Sequence, residues 1–377
     1  MWSRAAIWIG AVFAFFFFEP NRNPNADRWD TARLHDLGYF TDIWARWDSD
    51  FFLHIAQDGY DDASAAFHPL YPALVAVLGR VFFGHYVLAG LVISLVAALG
   101  CFVLLHSLAQ ERLGEEGALR ALLYLAVFPM ALFLQAVYSE SLFLLLVLTA
   151  FACAERRRFA VAGVATGLAI LTRAAGLALL PALALLAWRE RERLRALGGL
   201  ALALPVAAIY PLVLWQQVGD PLAFRDAQDR WHRHFSPAGP FGGIWDGLVA
   251  GWRGLEQFVV GHGTHVSGIS PMHAAAENLQ ALVFLILFVV LAVVAWRLFG
   301  APYGLFAVVS LAIPLSYPSS RWPLLSLPRF GLVVFPFFLA LAALTADRPR
   351  AHAAVVACSA VFLGIALTQW ALWQWVA

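Results

Sequence analysis

The chain has 377 residues, 62% of them hydrophobic and 13% charged, with a mean hydropathy of +0.73. Soluble domains are roughly 45–50% apolar and about 25% charged, so this composition excludes one, and with it disorder, collagen and coiled coil. Net charge is +1 and all 25 basic residues are arginines. That balance argues against a nucleic-acid partner, and the lack of lysine excludes Schiff-base lysine chemistry and a P-loop. Cys101, Cys153 and Cys358 all sit in apolar runs and outline neither a disulfide frame nor a zinc ribbon.

Apolar runs cover 5–18, 86–108, 118–136, 139–154, 159–172, 174–188, 196–215, 278–298, 301–317, 329–345 and 352–376. A spanning helix needs about 20 apolar residues, so these predict an all-α polytopic membrane protein with about 11 helices. The first run precedes Glu19-Pro20-Asn21-Arg22 and no small-residue cleavage site, so it reads as a helix and not a signal peptide. The runs 159–172 and 174–188 read as two short spans, with one broken excursion as the alternative.

Arginine placement sets the sides. Arg112, Arg120, Arg156-Arg157-Arg158, Arg189 to Arg195, Arg348 and Arg350 all fall in short loops, which the positive-inside rule puts in the cytoplasm. The segment 69–84, with its prolines and Arg80, then lies along the outer surface. Two stretches, 19–85 and 216–277, are expected as large loops on the non-cytoplasmic face of one transmembrane domain over 1–377. Nearly all the polar chemistry gathers there and at helix ends facing them. A transporter would place polar groups near the midplane and often repeat its halves; this pattern instead fits an enzyme at the outer surface.

The densest segment is Trp44 to Tyr60. As a helix it aligns Trp47, Phe51 and Ile55 on one face and Asp50, His54 and Asp58 on another, with Gly59 as C-cap. Asp48 falls at the N-terminus of that helix, where capping and chemistry are both open to it. Asp50 and His54 are an i, i+4 pair, and Asp50 is the alternative base. Arg329 follows Pro328 at the start of a span, as an interfacial anchor or an anion site. Arg173 sits at a tight turn, and Glu140 at a helix N-terminus that its charge would compensate. Gln228 and Trp231 share a face in 224–234, where alternating charge also fits a solvated helix.

Arg46-Trp47-Asp48, Phe52-Leu53-His54-Ile55-Ala56, Gly59-Tyr60 and Phe67-His68-Pro69-Leu70-Tyr71-Pro72 follow in an order that resembles GPI mannosyltransferase 2 (PIG-V-like) proteins. The resemblance continues through Tyr138-Ser139-Glu140-Ser141-Leu142-Phe143, Thr172-Arg173-Ala174-Ala175-Gly176, Phe224, Ala227-Gln228 and Trp231. It ends at Ser326-Leu327-Pro328-Arg329-Phe330 and Phe335-Pro336, so it spans residues 44–340. His68 departs from it, where phenylalanine is expected, as does Ala174-Ala175, where a serine- or asparagine-containing pair is usual. With the lysine-free composition, these departures point to a bacterial relative in the plasma membrane whose acceptor need not be a GPI precursor.

The resemblance implies a GT-C fold glycosyltransferase, inverting, with a polyprenyl-phosphate sugar as donor and a glycolipid or glycan hydroxyl as acceptor. An aspartate of the first outer loop is the expected base, which maps to Asp48; Arg329, with Arg173, is expected to hold the phosphate. Arg46, Asp50, His54, His68, Glu140, Gln228 and Trp231 are the further substrate-binding candidates. The chemistry stands by itself. One carboxylate takes the acceptor proton, and the leaving lipid phosphate is already an anion that needs a cation and no general acid. It calls for no cofactor beyond the lipid-linked donor, with a divalent ion left open. His232, His234, His262, His265 and His273 show no metal-ligand spacing.

The same residues admit two other readings. A lipid-linked-sugar flippase or other transporter would place Arg173 and Glu140 at the midplane; a scaffold would leave the outer-loop residues unexplained. The run Gly261-His262-Gly263-Thr264-His265-Val266-Ser267-Gly268 looks like a subtilisin histidine motif, but no Gly-Thr-Ser nucleophile follows, and it reads as a glycine-rich loop.

Overall fold

The structure is a computed structural model that describes residues 2–19, 29–266 and 269–376. Residues 20–28 of the first expected loop and Ser267-Gly268 of the glycine-rich loop lie outside the described residues. Helices dominate, and an isolated bridge between Arg233 and Ser319 is the extent of β pairing among the described residues. In chain order the helices that matter here are α1 (Trp2–Phe17), α2 (Ser49–Asp58), α3 (Leu70–Val81), α4 (Tyr86–Val127), α5 (Glu140–Glu155), α6 (Phe159–Ile170) and α7 (Leu179–Trp188). They are followed by α8 (Arg193–Gln217), α9 (Pro240–Val260), α10 (Pro271–Phe299), α11 (Ala301–Leu315), α12 (Leu327–Gly331), α13 (Pro336–Leu344) and α14 (Pro349–Ala371).

Four of these, α4, α8, α10 and α14, are long and apolar enough to cross a membrane. Five shorter apolar helices accompany them, so eleven spans do not follow from helix length alone. The chain is an integral membrane protein by these helices.

Several boundaries differ from the sequence reading, each with a local cause. The runs 86–108 and 118–136 join as α4, bent at Gly114 (φ +70°), and the second part stops at Val127. Pro129 forces Phe128 into an extended conformation (ψ 140°), and residues 131–134 continue as a 3-10 turn. α8 is interrupted near Ala201–Leu202 and at Ala208; Pro205 and Pro211 each lack an N–H and crowd the carbonyl four residues back. The run 329–345 is split into α12 and α13, again at a proline, Pro336.

The stretch 216–277, expected as a loop, contains the 21-residue helix α9. Its Gly243, Gly247, Gly251 and Gly254 are buried on one face, while Phe241, Trp245, Leu248, Trp252 and Leu255 are exposed on the other. A Cβ at Gly243 would come within 2.2 Å of the Leu315 carbonyl oxygen, so only glycine lets α9 approach α11 this closely. Glycines, with Asp246, Arg253 and Glu256 between them, break the apolar run that marks a helix in sequence.

Charged groups separate to the two ends of the bundle. Arg112 pairs with Glu155, Arg156 with Glu111 and Arg157 with Glu190, while Arg120 donates to the carbonyls of Thr345 and Ala346. Glu155 ends α5, whereas Glu140 begins it, about 22 Å away at 1.5 Å per residue. The arginine-rich short loops therefore share one end, and the charged cluster described next occupies the other.

Candidate active site

The site is built on two backbone knots. Val137 N–H donates to Trp44 O (2.9 Å), Ser49 Oγ donates to Val137 O (3.1 Å), and Asp48 N–H donates to the Tyr138 hydroxyl (3.1 Å). The Tyr138 hydroxyl in turn donates to Arg46 O (3.1 Å). Burial, and then the nearby Asp48 carboxylate, push the Tyr138 hydroxyl well above its usual range, so it stays a neutral donor. Asp48 holds the N-cap position of α2 but its side chain makes no capping hydrogen bond. Of the two uses open to it in sequence, capping is therefore not the one the fold makes of this carboxylate.

The second knot is the turn after α6. Arg173 is extended (φ −159°, ψ 146°), and Gly176 folds back so closely that a Cβ there would lie 2.5 Å from Ile170 N. At α12, Pro328 in the first turn and Ser326 in a left-handed conformation (φ 63°) aim Arg329 inward.

These pieces bring four residues together from four places in the chain. Arg329 Nη1 donates to Asp48 Oδ2 at 2.9 Å, and Arg329 Nε lies 3.3 Å from Glu140 Oε1. Arg173 Nη1 donates to the same Glu140 oxygen at 2.7 Å and to Ser139 Oγ at 3.1 Å. The order Asp48, Arg329, Glu140, Arg173 alternates sign. Glu140 is fully buried, and Asp48 and Arg329 are each about 8% exposed. The Arg329 guanidinium also faces the rings of Phe133 (5.3 Å) and Tyr138 (5.4 Å).

The array forms the floor of a cavity of about 390 Å³. Asp48, Arg173 and Arg329 reach it from the floor, and His68, Gln228, Trp231 and Arg233 from its walls, among apolar groups such as Phe224 and Val333. Its lining is mostly apolar with convergent charged groups, which suits a lipid carrying an anionic head. His68 stacks near Tyr210 (4.5 Å between ring centroids), and burial lowers its pKa to about 4, so its imidazole is neutral.

Three candidates lie elsewhere. Arg46 is buried with its guanidinium 4.2 Å from the Trp373 ring, donating to the carbonyls of Asp42 and Ala45, and it does not line the cavity. Asp50 and His54 do not pair with each other. Asp50 accepts from Thr31 and Arg33, while His54 contacts Asp58 (3.1 Å) and Asp61 (3.2 Å). Both line a separate cavity of about 190 Å³ with Trp29, Arg33 and Arg230. Phe51 lines that smaller cavity too, packing against Phe67 and Trp231, which line the main one. The predicted helix at 224–234 is a short turn of α-helix followed by a 3-10 turn, Ala227–Trp231, yet both Gln228 and Trp231 face the cavity. Among the described residues, no three His, Cys, Asp or Glu side chains are grouped to hold a metal.

Sequence reasoning missed Arg233, hidden in a run of alternating charge. It reaches the cavity because His234 N–H donates to Pro318 O (3.2 Å) and Ser319 Oγ donates to Trp231 O (2.8 Å), which dock the segment onto 316–320.

Fold and site together define a polytopic helical membrane protein with a charged, lipid-sized cavity at one end of its bundle. Residues 33–187, which carry Asp48, Glu140 and Arg173, match the family model described as Mannosyltransferase (PIG-V). This is the family whose motifs the sequence resembles, found here over that segment. No curated protein sequence matches the chain. Among solved structures, ArnT from Cupriavidus metallidurans in the apo state is 18% identical, with a TM-score of 0.45 over 83% of this chain and 56% of its own. The same ArnT bound to undecaprenyl phosphate is 15% identical, with a TM-score of 0.40 over 96% of this chain and 76% of its own. The Archaeoglobus fulgidus oligosaccharyltransferase in its apo form is 13% identical, with a TM-score of 0.43 over 99% of this chain and 56% of its own. The chain thus spans little more than half the length of apo ArnT and of the oligosaccharyltransferase.

Proposed function

We propose that the chain is a GT-C-type membrane glycosyltransferase that moves mannose from a polyprenyl-phosphate donor to a hydroxyl of a glycolipid or glycan, inverting the anomeric carbon. The contact between Asp48 and Arg329 at the cavity floor carries this reading. Arg329 holds Oδ2 of Asp48, and the other carboxylate oxygen takes the proton of the acceptor hydroxyl as its oxygen bonds the anomeric carbon. The bond from that carbon to the phosphate oxygen breaks, and the electron pair leaves on the lipid phosphate. Arginines lining the cavity meet that charge; Arg329 and Arg173 are the ones the sequence points to. The arginine-rich loops at the opposite end support a cavity that faces away from the cytoplasm. Glu140 and Arg173 lie at helix ends and not mid-helix, which favours an enzyme over a transporter.

The test is transfer of radiolabelled mannose from polyprenyl-phosphate-mannose to lipid extract, comparing wild type with Asp48→Asn. A labelled product with wild type alone supports the reading. Wild-type turnover by Asp48→Asn would sink the assignment of the base.

A further inference from the structure

Four guanidiniums line the main cavity, and they differ in what already neutralises them. Arg329 is held between Asp48 and Glu140, and Arg173 by Glu140. Arg225 is exposed at the mouth, where water screens its charge. Arg233 is half-buried and has no carboxylate within ion-pair distance among the described residues. It is nonetheless fixed: Nη1 donates to Tyr317 O (3.1 Å), Nη2 donates to Leu325 O (2.8 Å), and its plane lies 5.6 Å from the Phe330 ring. Two carbonyls orient the fork without cancelling its charge.

Asp48 and buried Glu140 offset Arg329 and Arg173, and water screens Arg225, which leaves Arg233 as the uncompensated charge on the cavity lining. A guanidinium removed from water without a counter-charge is costly, and an anionic ligand relieves that cost. Burial, with Arg329 close by, lowers the Arg233 pKa to about 10, while Asp48 acts in the opposite sense. The Arg233 charge is therefore felt at the reacting pair.

We propose that Arg233 is the residue that receives the phosphate of the polyprenyl donor, and that Arg329 is a positioning residue that holds the Asp48 carboxylate and Glu140. This rests on the proposed glycosyltransferase reading. It divides labour between the two arginines: Arg329 is already neutralised by Asp48 and Glu140, whereas Arg233 has no carboxylate within ion-pair distance among the described residues, so a phosphate there finds an uncompensated charge and leaves the base in place.

The experiment measures equilibrium binding of undecaprenyl phosphate and of undecaprenol to the purified full chain in detergent. Wild type, Arg233→Gln, Arg233→Lys and Arg329→Gln are compared. Losing one charge-assisted contact predicts that Arg233→Gln binds the phosphate about tenfold more weakly or worse, with undecaprenol unchanged. Arg233→Lys should recover most of the loss, because it restores charge though it cannot span both carbonyls. Arg329→Gln should keep phosphate binding and lose transfer. If Arg233→Gln binds undecaprenyl phosphate like wild type, or Arg233→Lys is as weak as Arg233→Gln, the assignment of Arg233 is overturned. If wild type does not prefer the phosphate over the alcohol, the donor reading fails as well, which separates the two failures.

Discussion

Arg329 closes an ion pair with Asp48 at 2.9 Å across 281 residues of chain. The pair joins the short helix α12 to the start of α2 and so ties the last third of the chain to its first sixth. Glu140 and Arg173 extend it into a buried four-charge row. In such a row each member is both a chemical group and a counter-ion, so substitutions separate the two roles.

Asp48→Asn keeps a hydrogen-bond acceptor for Arg329 but removes the carboxylate proposed as the base. Transfer should fall at least about 100-fold, the range a positioned general base supplies. The yield and elution of the purified protein should match wild type. Single-turnover assays on polyprenyl-phosphate-mannose measure this; a loss of less than about fivefold would count against it.

Glu140 is fully buried and serves two arginines. Glu140→Gln should destabilise the fold by about 3–5 kcal/mol, because it strands buried cations. The double variant with Arg173→Gln should lose less than the sum of the two single losses, since it removes charge and counter-charge together. Thermal unfolding in detergent reads both, and additive losses would contradict the pairing.

His68 has its folded pKa depressed to about 4, chiefly by burial. The unfolded chain takes up this proton near pH 6.5, the folded chain only near pH 4. The contribution of this group to stability is therefore present above about pH 6.5 and lost as pH falls toward 4. His68→Phe should keep the contact with Tyr210 and flatten the decline in melting temperature over that window. An unchanged slope in melts at stepped pH would refute this.

Gly243 packs against the Leu315 carbonyl and Gly176 against the Ile170 amide, both backbone contacts that cannot swing aside. Gly243→Ala and Gly176→Ala should each destabilise by about 1–3 kcal/mol through overpacking. Gly364→Ala, with nothing within 4 Å of the added Cβ, is the control and should be neutral or slightly stabilising. Gly176→Ala should also lower transfer, because the turn it tightens carries Arg173.

The class of molecule and most charged residues of the candidate site are legible in the residues alone. An apolar fraction of 62% and the apolar runs permit only a helical membrane protein, because backbone polar groups in lipid must be satisfied within a segment. Arginine spacing alone sorted the two ends, since short charged loops need no tertiary contact to be read. Asp48, Glu140, Arg173, Gln228, Trp231 and Arg329 were all legible as polar residues in otherwise apolar or aromatic company, and all six sit in or directly beneath one cavity. Tertiary structure decided the rest, because burial and pairing are properties of neighbours distant in sequence. It turned Arg46 onto Trp373 and away from the cavity, and gave His54 to Asp58 and Asp61 in place of Asp50. It packed the glycine face of α9 where periodicity showed only a loop. It also left Arg233 as the cavity cation held by carbonyls alone among the described residues, a distinction local sequence cannot carry, because whether a charge is neutralised depends on which carboxylates the fold brings within about 4 Å.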